Sequence, residues 1–491
     1  MERNTVTINR KTASNTKVVE VSGDIIVPDI KPDIVNIINT NGIAYIYKED
    51  ISTGRVRIDG NIDTYIVYLA DNGETRSIQH TLTISENIED NEINDNCFAK
   101  QKIILENIES KVLNERKISI KANVKIKSEI FEKSDIEITS DFTEIENLEK
   151  LKETLEIKSI VGRNNVRTMI KEDIAVDSNY DISEILKVDV QISNMENKLS
   201  FNKILAKADA EVKVVFLTED NRIATASSTI PVMSFIDMDK ITDTNICNVD
   251  YSIRNMLFKV NSKEMHSIAC QVDFEVCSEA YENKTIDVIQ DMYGTKNNVE
   301  FTKKEVEVQS AKEEITESVN INEKILVEDI LNIFDVNCLV KKVNTTKAGN
   351  LCNHECELKL QIYYEVNNRN GLNVKEFSVP FMVKSEIEED IEFCINKKQF
   401  MINNENVECD VEVLYKQNNN NLKKISIIED VTTKEYEEEN DYKMFMYFVK
   451  PGDSIWKIAK KFKVCMNDII SINNIENPDK INVGDRLYIM K

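Results

Sequence analysis

The feature that most constrains this fold is an alternation of apolar and polar residues that recurs three times, with the same order of elements. The clearest part of each repeat is an alternating run, a polar turn with Asn or Gly, and a returning run. The three copies are RIDGNIDTYIVYLADNGETRSIQHTLTIS (57–85), LAKADAEVKVVFLTEDNRIATASSTIPVM (205–233) and CNHECELKLQIYYEVNNRNGLNVKEFSVPFM (352–382). Apolar residues at every second position around a turn predict a β-hairpin in each copy.

Two further parts flank each hairpin in the same order. Leading strands with a short turn or helix start occupy 19–38, 170–186 and 315–331, and trailing alternating strands occupy 117–132, 265–281 and 405–417. Period-two runs are typical of half-buried strands, so we expect a mainly β, multi-domain chain whose units have a sandwich- or open-barrel-like core. The predicted units are 1–145, 150–308 and 309–430.

Two details refine this prediction. Pro231 and Pro380 lie in the returning strands of the second and third hairpins. Because proline has no N–H to donate, these strands are expected at sheet edges. The run ENLEKLKETLEI (146–157) indicates a few helical turns joining the first two units.

The repeats resemble the SPOCS domain, a module named for spore-coat assembly proteins. The resemblance is strongest at VSGDIIVPDIKPDIVNI, in the first repeat, and extends through most of 18–430. It consists of strand pattern and short phrases, with no catalytic signature. It implies three diverged SPOCS-like β repeats that help to localise the protein and to assemble coat layers.

An acidic stretch follows the repeats. EDVTTKEYEEENDYK (429–443) contains seven acidic residues and two Lys. Like charges repel one another, so we expect an extended, solvated linker at 431–444. The alternative is a segment that binds a partner.

The last residues, 445–491, form a different pattern. MYFV (446–449) is typical of a short strand, Pro451–Gly452 of a turn, and Asp453 or Ser454 of a helix cap. An apolar stripe at helical spacing predicts the first helix. A second short helix ending at Asn473–Asn474 and a closing strand at 487–490 complete the order strand, helix, helix, strand.

This order resembles the LysM family over the whole segment. The matching motif residues are Gly452, Asp453, Ser454, Ile455, Ile458, Ala459, Asn473, Ile475, Asn477, Pro478, Ile481, Gly484, Leu487 and Ile489. The resemblance implies a small α+β (βααβ) recognition domain with a ligand groove between the loop after the first strand and the loop after the second helix. The implied groove residues are Gly452, Asp453, Ser454 and Ile455 in the first loop, and Asn473, Asn474, Ile475, Asn477, Pro478 and Ile481 in the second.

Many of these residue types also serve purely structural roles, glycine in turns and isoleucine in a small core. Trp456, the single Trp of the chain, leaves two roles open. It is either a packing residue on the helix or an exposed anchor for a ligand.

Charge narrows the range of partners. The chain carries −24; from Phe445 onward eight basic and five acidic residues give +3, so the preceding residues carry −27. Such an acidic chain argues against nucleic acid and against adsorption to an anionic membrane. The mildly basic tail suits an acidic partner, but ordinary solubility is the simpler explanation of the charge balance.

Signals for catalysis and cofactors are weak. None of the three His residues lies in a nucleophile motif, and no glycine-rich phosphate loop occurs. Cys352, His354 and Cys356 alternate along a strand, where residues two apart are about 7 Å apart, so at most a neighbouring pair could share one ion, and zinc sites usually use tight turns instead. We therefore expect no catalytic residue, no metal and no cofactor, and a protein that is not an enzyme.

The N-terminal residues and the hydropathy of the chain bear on its cellular location. MERNTVTINRKTASNTKVVE has no apolar core of a secretory signal, and no run of eighteen apolar residues predicts a transmembrane segment. The ten Cys have no framework spacing, so free thiols in a cytoplasmic protein are expected.

SPOCS-like repeats followed by one LysM resemble the clostridial spore-coat morphogenetic proteins. That resemblance implies a scaffold in the mother-cell cytoplasm, at the forespore surface. There the LysM contacts a coat-basement ATPase, the stage-IV A sporulation protein, and other coat proteins assemble. LysM domains also commonly bind N-acetylglucosamine polymers. The alternative is therefore a protein that binds peptidoglycan or a lipid-linked wall precursor.

Overall fold

Strands dominate the computed structural model. It describes residues 2–177, 179–261, 266–311, 316–349, 351–367, 369–385, 391–417, 422–435, 443–478 and 480–490. Within these ranges, helix is confined to two short segments near the C-terminus. The expected fold class, mainly β with a small α+β domain at the C-terminus, is confirmed.

The first unit contains six strands in two sheets. They are β1 (Glu2–Ile26), β2 (Ile34–Ser52), β3 (Arg55–Ala70), β4 (Thr75–Glu89), β5 (Cys97–Asn114) and β6 (Lys117–Asp141). One sheet has the order β1-β6-β5 and the other is the meander β2-β3-β4. Apolar residues at alternate positions of β3 and β6, such as Ile58, Ile62, Ile118 and Ile120, are buried in one core.

The second unit repeats this pairing. Its strands are β7 (Leu148–Ala175), β8 (Ile182–Ser200), β9 (Lys203–Thr218), β10 (Ile223–Asp237), β11 (Ile246–Val260) and β12 (Ser267–Gly294). The order is again first-sixth-fifth (β7-β12-β11) and second-third-fourth (β8-β9-β10). Val214 of β9 and Phe274 of β12 are fully buried in its core.

The third unit follows the same plan with two strands divided. Its strands are β13 (Asn297–Ser310), β14 (Thr316–Leu326), β15 (Ile330–Ala348), β16 (Leu351–Val366), β17 (Arg369–Ser385), β18 (Ile391–Asn403), β19 (Asn406–Gln417) and β20 (Leu422–Glu435). The sheets β14-β19-β18 and β15-β16-β17 enclose its core. By pairing, residues 297–308 go with this unit, because β13 pairs along its length with β20.

Three two-stranded ribbons join the units. They are the start of β1 with the end of β6, the start of β7 with the end of β12, and β13 with β20. Their pairs Val6–Ile136, Leu155–Ile286 and Val306–Ile425 occupy equivalent positions. The ribbon cluster consists of Val6, Ile8, Ile136, Ile138, Leu155, Ile157, Ile286, Val288, Val306, Val308, Ile425 and Ile427. Each ribbon gives four residues to one shared core.

A second junction combines apolar and polar groups from all three units. A β-bulge precedes Asn39 in β2, Lys187 in β8 and Asp335 in β15, which are evenly spaced along the chain. Lys187 and Asp335 form a buried ion pair, and Asn39 donates to the Tyr363 hydroxyl at 2.9 Å. The Lys213 ammonium lies 3.0 Å from the Asp335 carboxylate. Charges buried this deeply need such partners.

Two sequence predictions are wrong in detail. Residues 148–157 are strand, because they pair with the end of β12 and place Leu155 and Ile157 in the ribbon cluster. Residues 431–435, predicted as linker, continue β20 and pair with the start of β13. The rest of the predicted linker, 436–442, lies outside the described residues.

Two of the three hairpin turns and both edge prolines lie where they were predicted. The third predicted turn, 367–371, includes residue 368, which lies outside the described residues, and β17 already begins at Arg369. The turns at 71–74 and 219–222 join β3 to β4 and β9 to β10. Gly73 (φ +81°) and Asn221 (φ +61°) adopt the left-handed conformation that the turns require. Pro231 and Pro380 lie in β10 and β17, both edge strands of their sheets.

The C-terminal domain has the βααβ order. Its elements are β21 (Met444–Phe448), α1 (Ile455–Phe462), α2 (Met466–Ile472) and β22 (Arg486–Met490). β21 and β22 pair antiparallel. Both helices pack on one face of this hairpin, around Ile458, Ala459, Ile469, Leu487 and Ile489.

Candidate functional site

Polar groups hold the first predicted groove loop in place. The Asp453 carboxylate accepts hydrogen bonds from the Lys450 backbone N–H and from the Tyr447 hydroxyl, each at 2.8 Å. The bond from Lys450, with that from Tyr447, lowers the pKa of Asp453. Gly452 has φ +81°, a conformation that favours glycine. Both residues therefore shape the loop.

The next two residues start α1. The Ser454 hydroxyl accepts from the Lys457 N–H at 3.2 Å, so Ser454 is the N-cap of the helix. Ile455 is buried in the core of the domain. Neither side chain is an independent surface group.

Asn473 fastens the second predicted loop to β22. Its side-chain amide donates to the carbonyls of Ile469 and Tyr488, at 2.8 and 2.7 Å, and its side-chain oxygen accepts from the Tyr488 N–H. Asn474 follows with φ +51° and is exposed. The Asn473 side chain thus joins the end of α2 to β22.

The remaining predicted residues divide between core and surface. Ile475 and Ile481 pack, partly buried, on the same core as Ile455, so the two loops share one support. Asn477 is exposed, and Pro478 is half-buried. The exposed predicted residues are Gly452, Asn474 and Asn477; binding by this groove stays a prediction.

Trp456 does not point to solvent. Its indole N–H donates to the Asp291 carboxylate of β12 at 2.8 Å, and its ring lies 5.0 Å from the Tyr293 ring, edge to face. Only 8% of Trp456 is exposed. Of the two roles that the sequence left open, the structure favours packing, here between domains.

Further contacts complete this docking interface. The Tyr293 hydroxyl donates to the Val464 carbonyl at 2.7 Å, and the Lys460 ammonium lies 2.6 Å from Asp291. Burial acts to raise the pKa of Asp291, but hydrogen bonds from Lys460 and Trp456 hold it below its ordinary value. α1 is therefore fixed to the end of β12.

The described residues also bear on metal binding, on histidine chemistry and on membrane insertion. Within them, no group of three or more His, Cys, Asp or Glu side chains is placed to hold a metal ion. The buried His354 ring contacts the Thr345 and Ser385 hydroxyls, at 2.9 and 2.8 Å. No helix in the described part of the chain is both long and apolar enough to span a bilayer.

Two family models match this chain. The LysM domain model matches residues 447–489, and the model described as SipL, SPOCS domain matches residues 181–261. The SPOCS match covers β8 to β11 of the second unit. No curated protein and no solved structure matches the chain.

The chain is SipL-like. Both matches coincide with segments for which the sequence alone suggested these domains. The SipL-like chain is therefore a sporulation-related binding protein built from SPOCS and LysM domains.

Sequence reasoning missed the residues that hold the LysM in place. Asp291 and Tyr293 precede Trp456 by more than 160 residues, and no local pattern links them. The one available signal was Trp456 itself, the single Trp of the chain, for which the sequence left both packing and ligand anchoring open.

Proposed function

We propose that the SipL-like chain is a non-enzymatic scaffold whose LysM domain recruits the coat-basement ATPase, the stage-IV A sporulation protein. The site of action is the forespore surface, on the mother-cell side. The observation that carries this proposal is the presence of a SipL-type SPOCS domain and a LysM domain on one chain.

The docking interface supports a scaffold role. Because Trp456 and Lys460 fasten α1 to β12, the exposed loop residues at 452, 474 and 477 keep a fixed position relative to the second unit. Preorganised loops lose less entropy when a partner binds. The ribbon cluster likewise joins the three units to one another. A partner bound to the LysM domain is therefore held at a fixed position relative to all three.

Glycan binding is the second candidate, and the LysM match favours it. Such a LysM binds N-acetylglucosamine units of peptidoglycan or of a lipid-linked precursor in the same groove. The two candidates differ in the ligand and share the loops.

The test uses the full chain with two ligands, the purified ATPase and a chito-oligosaccharide. Glu476→Arg places a bulky charge at an exposed position of the second loop, which avoids the engaged groups of Ser454 and Asn473. Loss of one central contact costs about 2 kcal/mol, or roughly thirtyfold in affinity. Asn467→Arg, at an exposed position at the start of α2, is the matched control.

Recruitment predicts that the wild-type chain binds the ATPase, that Glu476→Arg weakens this binding and that Asn467→Arg does not. A chain that binds the oligosaccharide tightly and ignores the ATPase supports the glycan candidate instead. Equal ATPase binding by all three chains removes the groove from the interface.

A further inference from the structure

The loop between β1 and β2 presents apolar side chains to solvent. This tip loop comprises residues 27–33, VPDIKPD. Ile30 lies near its middle and is 93% exposed, and Ile26 and Val35, which flank the loop, are 74% and 58% exposed. Large apolar side chains that are exposed together in this way mark surfaces that bind another molecule.

The tip loop is held in one conformation. The Arg116 guanidinium donates hydrogen bonds to the carbonyls of Pro28 and Lys31, at 3.0 and 2.8 Å. It also donates to the Asp33 carboxylate at 2.9 Å. The Lys31 N–H donates to the Pro28 carbonyl at 2.9 Å, which closes a turn that contains Ile30. Because the loop is ordered before a partner arrives, binding through Ile30 costs little conformational entropy.

The body of the protein separates the tip loop from the LysM domain. β1 begins in the ribbon cluster, where Val6 lies, and ends at Ile26 beside the tip loop. A strand rises about 3.3 Å per residue, so the distance from Val6 to Ile26 is up to roughly 65 Å. The LysM domain docks at Asp291 and Tyr293, past the ribbon part of β12. The ribbon cluster therefore lies between the tip loop and the LysM docking interface.

Charge around the tip loop selects the kind of partner. Seven acidic residues lie in the loop and beside it: Asp24, Asp29, Asp33, Asp71, Glu74, Glu115 and Glu184. The four basic residues among them are each in an ion pair with one of these carboxylates: Lys31–Glu184, Arg76–Glu74, Arg116–Asp33 and Lys117–Asp24. The balance is −3, and Asp29, Asp71 and Glu115 are exposed.

The adjoining turns of the second unit extend this acidic surface. The turns 176–181 and 219–222 contain four acidic residues and one basic residue, Arg222, which pairs with Asp220. The Glu219 N–H donates to the Asp181 carbonyl, so the two turns lie together. A basic surface complements this charge, whereas an anionic membrane is repelled by it.

We propose that the tip loop binds a basic segment of another protein, with Ile30 packed among apolar side chains of that segment. The Lys or Arg side chains of the segment face Asp29, Asp71 and Glu115. The chain then has two binding surfaces, the tip loop and the LysM groove, with the ribbon cluster between them. This proposal is independent of what the groove binds.

The first test uses the full chain and synthetic peptides of defined chemistry. An amphipathic peptide of Lys and Leu is the probe, and the references are a Lys and Ser peptide of equal charge and a Glu and Leu peptide. Fluorescence anisotropy of the labelled peptides measures their affinities at low and high salt. The Lys and Leu peptide is expected to bind best, and less tightly at high salt, because screening weakens the charge attraction. If it binds no better than the Lys and Ser peptide, the proposal is overturned.

The second test uses matched variants. Ile30→Ser removes the apolar side chain and leaves the backbone hydrogen bonds of the loop in place, so it should lower the affinity for the Lys and Leu peptide roughly tenfold. Ile30→Leu should bind like the wild type. Val343→Ser, which truncates an exposed apolar residue of β15, is the control and should also bind like the wild type. Equal binding by Ile30→Ser and the wild type overturns the proposal, since it indicates general adsorption to an acidic protein.

A photoreactive group in the Lys and Leu peptide locates the contact. After irradiation, mass spectrometry should find the peptide attached within 24–35, and attachment confined to other segments overturns the proposal. Sedimentation velocity of the full chain without peptide tests a second copy as the occupant. Self-association that Ile30→Ser abolishes assigns the tip loop to a second copy and overturns the proposal. A monomeric chain, or association that Ile30→Ser leaves unchanged, is the expected result.

Discussion

The docking of the LysM domain on β12 leads to the most specific prediction from the structure. Asp291→Ala removes the acceptor of both the Trp456 indole and the Lys460 ammonium. Hydrogen bonds to a charged group contribute about 1.5–3 kcal/mol, and the partial exposure of this pair places the loss near the lower end. Tyr293→Ala removes an aromatic contact worth about 1 kcal/mol and a hydrogen bond of similar size.

Either change should weaken docking by about 2 kcal/mol, which is roughly thirtyfold in the ratio of docked to undocked LysM. Trp456 is the only Trp in the chain, so its fluorescence reports the interface without a label. We expect a red-shifted emission maximum and stronger quenching by acrylamide, because the indole becomes exposed to water.

Asp287→Asn is the matched control. Asp287 lies on the same strand, but its carboxylate accepts from the Thr154 hydroxyl rather than from the LysM. Its emission should equal that of the wild type. If Asp291→Ala and Tyr293→Ala also keep the wild-type emission and quenching, this interface does not hold the LysM domain. The exposed LysM loops would then not be fixed relative to the second unit.

Three other predictions address stability and reactivity. Burial raises the pKa of Asp335, but Lys187 and Lys213 override it and lower this pKa to about 2. Against an unfolded value of about 3.9, this stabilisation is fully present above about pH 4 and lost toward pH 2. Asp335→Asn should lower the unfolding free energy at neutral pH by about 3–5 kcal/mol, because it leaves the buried Lys187 ammonium without its ion-pair partner. It should also reduce the loss of stability between about pH 4 and pH 2. A variant whose stability falls with acid as steeply as that of the wild type argues against the Lys187–Asp335 pair. Ile458→Ala should cost about 2–5 kcal/mol through a core cavity, seen as a lower melting temperature of the LysM, and an unchanged melt contradicts that packing. Burial raises the pKa of Cys270 to about 12, so its thiol should react slowly at pH 8. Mass spectrometry after brief alkylation at pH 8 should find the exposed Cys394 modified before Cys270, and the reverse order would contradict the burial of Cys270.

Much of the fold follows from residues that act locally. Alternation along β6 (KISIKANVKIKSEI) matches its alternating burial, because neighbouring side chains of a strand point to opposite faces. The turn residues Gly73 and Asn221 and the edge prolines 231 and 380 are equally local, since backbone geometry alone limits them. The LysM order is predictable because caps, turns and stripe lie within one short segment.

Tertiary structure decided what depends on distant partners. Residues 148–157 have good helix formers, yet pairing with β12 and burial of Leu155 and Ile157 outweigh these weak intrinsic preferences. The sequence likewise did not reveal that Lys187 meets Asp335, or that Trp456 meets Asp291. Those contacts join residues more than a hundred positions apart, and their energy exists only once the units have packed together. The sequence by itself therefore determined the strands, turns and domain types, and the packing of the three units and the LysM decided which polar and aromatic groups hold them in place.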